Sequence, residues 1–288
     1  MKPVISVIGA SGFLGSALMP ELKKSYPDYD VKGTFYNHNI SGDLEYLDIC
    51  DKELLKKYML TLKPEFLFLI AGSKDLKRCE EDYDYAYRIN TRPTIDIVDI
   101  IEEYKLDTHL FFFSTDYVFD GVTGHYTDQD LPNPGTNYGK SNYDAEKYLL
   151  DSPVSYTIIR TSAVMGRGSR FFDWLLAAFK SGQELDLFDD VYFTPTPLSL
   201  VIDISIILIN SISNAPAIIH LVGSHSYSRY EFGLKLASLL KVSDKVKIVP
   251  SKSVDIFQKN LTMVQSEITR LNQHQNIDSF ILESAQSD

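Results

Sequence analysis

Cysteine is nearly absent: 288 residues hold only Cys50 and Cys79, with no C-x-x-C pair and no histidine nearby at ligand spacing. A disulfide framework and a zinc site are therefore unsupported, and the reducing cytoplasm is the expected setting. Long apolar runs are missing as well. The run from Val4 to Ile8 is one strand long before Gly9 interrupts it, and Glu65 to Ala71 and Leu110 to Phe113 are equally short, so neither a signal peptide nor a membrane span is expected. Basic residues are outnumbered, 28 against 39 acids, for a net charge of −11. A nucleic-acid partner needs the opposite sign on one face, so DNA and RNA are disfavoured and any phosphate has to be held by backbone amides and a few local cations.

What remains is an ordinary globular composition, 44% hydrophobic and 23% charged, with 15 Gly and 12 Pro, which excludes disorder and collagen-like repeats. Strand-like and helix-like runs alternate through the first half: Val4 to Ile8 then Phe13 to Ser25, Val31 to Phe35 then Asp51 to Leu62, and Phe66 to Ile70 then one long helix near Tyr83 to Tyr104. Leu110 to Phe113, a helix over Tyr138 to Leu150 and Tyr156 to Arg160 follow. The strands are continuously apolar, as expected for a parallel sheet covered by helices on both faces. The rhythm loosens after Ser162, through helices at Phe171 to Lys180, Leu198 to Ile212 and Tyr230 to Leu240 and strands within Gln183 to Tyr192 and at Ile218 to Val222. The pattern predicts an α/β fold, a Rossmann-like doubly wound parallel sheet over 1–162, with a smaller carboxyl-terminal substrate-binding part over 163–288 that returns segments to the sheet.

The sharpest local signal is Gly9-Ala10-Ser11-Gly12-Phe13-Leu14-Gly15, directly after the first strand and opening the first helix. Glycine is wanted at the tight turn, where backbone meets a pyrophosphate, and where helix packs on strand, while the helix N-terminus faces the negative charge. Gly9, Ser11, Gly12, Phe13, Leu14 and Gly15 are thus expected to bind a dinucleotide. His109, His125, His220, His225 and His274 form no cluster of metal-ligand character, and no metal is expected.

The G-x-x-G-x-x-G spacing, taken with Ser114-Thr115-Asp116-Tyr117-Val118-Phe119-Asp120-Gly121 and Tyr138-Gly139-Lys140-Ser141, resembles the extended short-chain dehydrogenase/reductase family. The likeness is strongest to its dTDP-4-dehydrorhamnose reductases and to the regulatory beta subunit of methionine adenosyltransferase. Leu47-Asp48-Ile49-Cys50-Asp51, Ile89-Asn90-Thr91, Ile159-Arg160-Thr161 and Ser228-Arg229-Tyr230-Glu231 fall in the same order. The resemblance implies that Thr115, with Ser114 beside it, and Tyr138 converge on a substrate carbonyl: a phenol to give a proton and a hydroxyl to hold the oxyanion. It also places Asp48 and Ile49 at adenine, Ala71, Gly72 and Ser73 along the cofactor, and Asn90 behind the active-site backbone. Close packing at a strand end is the plain alternative for Ala71 and Gly72, and a helix cap for Asp48.

One departure stands out. The family carries a lysine four residues after the tyrosine, where it binds the nicotinamide ribose and lowers the phenol's pKa; here that position is Asn142. Lys140 and Lys147 lie about 200° and 180° around a helix from Tyr138, so neither takes its place. An oxidising enzyme, which needs phenolate, suffers from this loss, whereas a reductase needs the neutral phenol. Asn142, with its amide available to a ribose hydroxyl, therefore suits ketone reduction, and it also suits an inactive cofactor-holding protein. The second strand ends Thr34-Phe35-Tyr36-Asn37-His38, with neither an acid for NAD nor an arginine for NADP, so Asn37 and His38 serve either; the resemblance favours NADP(H), with NAD(H) open.

The resemblance further places Arg160, Arg167, Arg170, Phe171, Trp174 and Phe188 to Pro197 where relatives bind a nucleotide-sugar, with Trp174 or Phe193 stacking on its base. The apolar face of Phe171 to Phe179 reads more readily as core than as pocket. The expected function is NAD(P)H-dependent reduction of a 4-keto-6-deoxy nucleotide-diphospho-sugar in deoxysugar or polysaccharide biosynthesis. The alternative is a catalytically weak regulatory subunit with a protein partner. An exposed helix pair suits a homodimer.

Overall fold

The computed structural model describes residues 2–40, 42–254, 258–272 and 278–279; His274 lies outside them. Short apolar runs become the strands of one seven-stranded sheet: β1 (Val4–Ile8), β2 (Asp30–Phe35), β3 (Glu45–Tyr46), β4 (Phe66–Leu69), β5 (His109–Thr115), β6 (Ser155–Thr161) and β7 (Ile218–Leu221). Their order is β7-β6-β5-β4-β1-β2-β3. The pairings β1 with β2, β1 with β4, β2 with β3 and β4 with β5 are parallel, with Val7 opposite Phe68 and Phe68 opposite Phe111. From β1 the chain builds outward to β2 and β3, then crosses back to β4 and builds the other way. The strand order thus reverses between β1 and β4, and a crevice opens at their carboxyl ends.

Helices close the faces: α1 (Phe13–Ser25), α2 (Lys52–Leu62), α3 (Leu76–Glu81), α4 (Tyr83–Asn90), α5 (Arg92–Tyr104) and α6 (Asn137–Leu150). Asp51 starts α2 by accepting from Leu54 N at 3.0 Å, as short acids do at helix starts. Leu55, Met59, Ile97, Ile101 and Leu149 pack with Ile8, Leu67 and Leu110 in one buried cluster. The long helix expected over Tyr83 to Tyr104 is instead two. Thr91 breaks the run, its hydroxyl donating to Ser141 O at 2.6 Å, and Pro93 falls in the first turn of α5, where a missing N–H forfeits no helical bond.

The chain forms two compact units. The first comprises residues 1–118, 136–159 and 205–218, and the second 119–135, 160–204 and the described residues from Ile219 onward. The second unit holds α7 (Arg170–Ser181), the start of α8 (Leu198–Asn210) and α9 (Arg229–Leu239), with strand Leu185–Phe188 parallel to Ile248–Ser251. Its core gathers Phe172, Leu175, Phe193, Phe232 and Leu236. Among the described residues no helix is long and apolar enough to cross a membrane, and no group of His, Cys, Asp and Glu could hold a metal ion.

Two buried histidines make stability pH-dependent. The His109 ring lies between Ser155 Oγ at 2.7 Å and Thr157 Oγ1 at 3.1 Å, and burial pulls its pKa from 6.5 to about 4. His220 falls equally far, through burial and then the Arg160 charge. Both stay neutral in the fold while the unfolded chain protonates, so stability should fall as pH drops from 6.5 toward 4, by up to about 3 kcal/mol per histidine. Urea unfolding midpoints at pH 7 and pH 5 test this; equal midpoints contradict it.

Candidate active site

The glycine loop is shaped by what a side chain would strike. Gly9 has a φ of +96°, and a Cβ there would lie 2.8 Å from Ala71 N. A Cβ on Gly15 would meet Gly9 O at 2.3 Å, so α1 can pack this close to β1 only without one. The turn is tied to β2 by Gly9 N donating to Thr34 Oγ1 at 3.1 Å and Ser11 N to Thr34 O at 3.3 Å. Gly12 stands at the N-cap of α1, where no side chain caps the helix and no acid occupies the first turn. An uncapped positive helix end beside a glycine cradle fits a dinucleotide phosphate, with Ser11, Gly12, Phe13 and Leu14 the residues that would hold it. Thr34, the anchor of this turn, is a buried polar residue in β2, a role the sequence reading did not assign to it.

The loop after β4 abuts this turn, Ala71 N donating to Ile8 O at 3.0 Å. A Cβ on Gly72 would come 3.0 Å from Asn90 Oδ1, the atom that accepts from Ser73 N at 2.8 Å. Asn90 Nδ2 donates to Ser141 Oγ at 3.2 Å, and Ser141 Oγ to Tyr138 O at 2.9 Å. Ser73 and Asn90 are thus joined by hydrogen bonds to the start of α6, whereas Ala71 is bonded to the end of β1.

Thr136 caps α6 through Gly139 N at 3.1 Å, and Glu80 accepts from Asn137 N at 2.9 Å. These two contacts fix the turn that bears Tyr138. The Tyr138 ring meets Tyr117 edge-on at 5.5 Å, and the phenol is buried beside Thr115 at the end of β5. Burial pushes the phenol's pKa well above the usual tyrosine value; the Thr115 bond pulls it back, and Asp116 and Tyr117 push it further up. The phenol is accordingly neutral at pH 7. Thr115 Oγ1 also donates to Asp116 Oδ1 at 3.0 Å and accepts from Tyr117 N at 3.2 Å.

Asn142 is buried, and its Nδ2 donates to Tyr138 O at 2.9 Å. One amide hydrogen is therefore committed to the helix itself rather than left for a ribose. Lys140 Nζ lies over the Tyr83 ring at 4.5 Å, and Lys147 pairs with Asp144 at 2.6 Å, so both lysines are engaged elsewhere. Sequence reading passed over Glu146. It follows Tyr138 and Asn142 at the same four-residue spacing, is fully buried, and accepts from Ser114 Oγ at 2.5 Å.

Asn37 and His38 are exposed beyond β2. Beside them the exposed Tyr36 and Tyr46 rings stack at 6.1 Å, an aromatic pair the sequence reading did not single out. Asp48 Oδ1 accepts from Cys50 N at 2.9 Å, leading into α2, with Ile49 half-buried next to it.

In the second unit Arg167 and Arg170 are exposed, but Arg160 is 1% exposed, 5.3 Å over the Phe119 ring and 3.5 Å from His220 Nε2. It is core. Phe193 is likewise buried, against Phe171 and Phe232 and beneath the Arg229 guanidinium at 4.0 Å. Of the two aromatics considered for stacking on a base, Trp174 alone presents surface; it is 43% exposed and stacked on Phe171.

A glycine turn at the strand-order reversal and a Thr–Tyr pair on β5 and α6 define a Rossmann-like, extended short-chain dehydrogenase/reductase fold. A dTDP-4-dehydrorhamnose reductase of Bacillus anthracis str. Ames, solved in complex with NADP, has this fold with a TM-score of 0.84 over 98% of each chain at 23% identity. The match to the RmlD substrate binding domain family spans residues 1–270, and the chain belongs to that family. The spore coat polysaccharide biosynthesis protein SpsK of Bacillus subtilis is 30% identical over 79% of this chain and 76% of its own. The dTDP-4-dehydrorhamnose reductase of Aggregatibacter actinomycetemcomitans is 27% identical over 84% and 82%. Methionine adenosyltransferase 2 subunit beta of Rattus norvegicus is 25% identical over 56% of this chain and 47% of its own.

Proposed function

We propose that the protein reduces a 4-keto-6-deoxy nucleotide-diphospho-sugar, in the manner of a dTDP-4-dehydrorhamnose reductase, with NADPH the preferred cofactor and NADH the alternative. The buried, neutral phenol of Tyr138 beside Thr115 carries this reading. The bound dinucleotide would supply hydride. As the carbonyl oxygen gains negative charge, Tyr138 donates its phenolic proton and the Thr115 hydroxyl stabilises the oxygen. Asn142 brings no positive charge to the tyrosine, and so leaves the proton on the phenol until it is needed. Asn142 also suits a subunit that binds cofactor without turnover, but methionine adenosyltransferase 2 subunit beta aligns with only 56% of this chain. Reduction is the reading adopted.

The experiment is consumption of NADPH and NADH by the purified protein with dTDP-4-keto-6-deoxy sugars. Turnover supports the proposal; tight cofactor binding without turnover defeats it. Asn142→Lys adds a diagnostic. In the natural protein the alkaline limb of kcat should lie above pH 10, because activity is lost only when the raised phenol ionises. A lysine at 142 should move that limb down by about one to three pH units. A limb that does not move contradicts proton donation by Tyr138.

A further inference from the structure

Glu146 lies two turns beyond Tyr138 on α6 and is fully buried. Its helix neighbours Ala145 and Leu149 belong to the same apolar cluster as Leu110 and Phe112 of β5. A carboxyl removed from water costs free energy, and a leucine or methionine would fill such a place at less cost. Stability alone therefore does not account for a glutamate here. What the carboxyl has is a partner: Ser114 gives its one hydroxyl hydrogen to Glu146 Oε1 at 2.5 Å.

That bond closes a frame around Thr115. The chain from Ser114 to Tyr117 touches α6 at both ends, Ser114 at Glu146 and the Tyr117 ring at that of Tyr138, 5.5 Å away. The two points of contact on α6 are separated by two turns, about 12 Å along the helix axis. Thr115 falls between them in the chain, its Oγ1 held further by Tyr117 N at 3.2 Å and Asp116 Oδ1 at 3.0 Å. The start of α6 is anchored independently. Thr136 and Glu80 hold its first turn, and Thr91 Oγ1 donates to Ser141 O at 2.6 Å. The helix is thus fixed by contacts that Glu146 does not make, and the Ser114 bond sets the end of β5 against it.

We propose that Glu146 is a positioning residue for ketone reduction: through Ser114 it fixes where Thr115 stands relative to the Tyr138 phenol. This rests on reading Tyr138 as the proton donor and Thr115 as the support of the oxyanion. Glu146 itself touches neither substrate nor cofactor.

The test uses the full chain as Glu146→Met, Glu146→Gln and Ser114→Ala, each also combined with Thr115→Ala. The readouts are kcat and KM for a dTDP-4-keto-6-deoxy sugar, NADPH affinity by fluorescence titration, and the urea midpoint. Glu146→Met and Ser114→Ala should lower kcat about 10- to 100-fold, because a displaced hydroxyl supports the oxyanion poorly, while KM and NADPH affinity hold. Glu146→Gln keeps an acceptor oxygen for Ser114 and should recover most of the rate. With Thr115 already replaced by alanine, neither substitution should cost much more, since the residue it positions is gone. A purely structural role would lower the urea midpoint and leave kcat alone, or would add its full loss to that of Thr115→Ala; either result overturns the proposal. Should Glu146→Met fail to fold, Ser114→Ala, which removes a single oxygen, decides the matter. Variants that match an active natural protein overturn the role of Glu146 alone, whereas a natural protein without turnover overturns the reading as a reductase and this role with it.

Discussion

Tyr138→Phe should lower ketone reduction by about 10²–10⁴-fold while leaving NADPH binding close to that of the natural protein. Only one oxygen is removed. The ring keeps its edge-on contact with Tyr117 at 5.5 Å, and the helix start keeps its Thr136 and Glu80 bonds, so the loss belongs to proton donation rather than to folding. The effect should fall on kcat, because the proton moves only in the transition state. Thr115→Ala offers a comparison. It deletes the partner that offsets the burial of the phenol, and should cost less than Tyr138→Phe, since the acid itself survives. Single-turnover reduction rates for both variants are the measurement. A Tyr138→Phe protein as active as the natural one would remove Tyr138 from the chemistry and leave the fold untouched.

Gly15→Ala should produce the largest structural effect of any single methyl group in the first unit. The added carbon would sit 2.3 Å from Gly9 O and 2.6 Å from Ala10 Cα, both backbone atoms of the turn whose amides are proposed to hold a phosphate. Helix and turn have to separate to accept it, at a cost of about 3 kcal/mol or more, and the amides move with them. The expectation is a lower urea midpoint together with loss of NADPH binding. Gly12→Ala is the control. Its Cβ would meet only Gly9 O, at 3.3 Å, so stability should change little. Equal stability for the two variants would contradict the packing argument.

How much of this was legible beforehand depends on how local the cause was. The glycine turn could be read because a positive φ at Gly9 and a close approach at Gly15 admit almost no other residue. The Thr115 and Tyr138 pair was expected from the family resemblance, and the start of α6 just before Tyr138 has a local cause in the Thr136 cap. The break at Thr91 could not, since the apolar periodicity of α4 continues into α5 and the tether that fixes the break lies on α6, at Ser141 O. Arg160 illustrates the same limit. A basic residue at the end of β6 suggests a ligand contact, and its burial against Phe119 and His220 depends on segments distant in sequence. Glu146 was passed over because its significance lies in what surrounds it.

The position of β7 has a practical consequence. Ile218–Leu221 completes the sheet beside β6 only after all of α7 and α8 have been made, with Ile158 N donating to Ala217 O at 2.8 Å. A fragment ending at Thr161 would therefore terminate in a naked strand, with Ile158 and Ile159 stripped of their cover and a row of main-chain groups seeking partners. Such edges recruit one another. Recombinant dissection of the nucleotide-binding half should yield aggregate, and any swap of substrate specificity between relatives has to be made by exchanging surface segments within an intact chain.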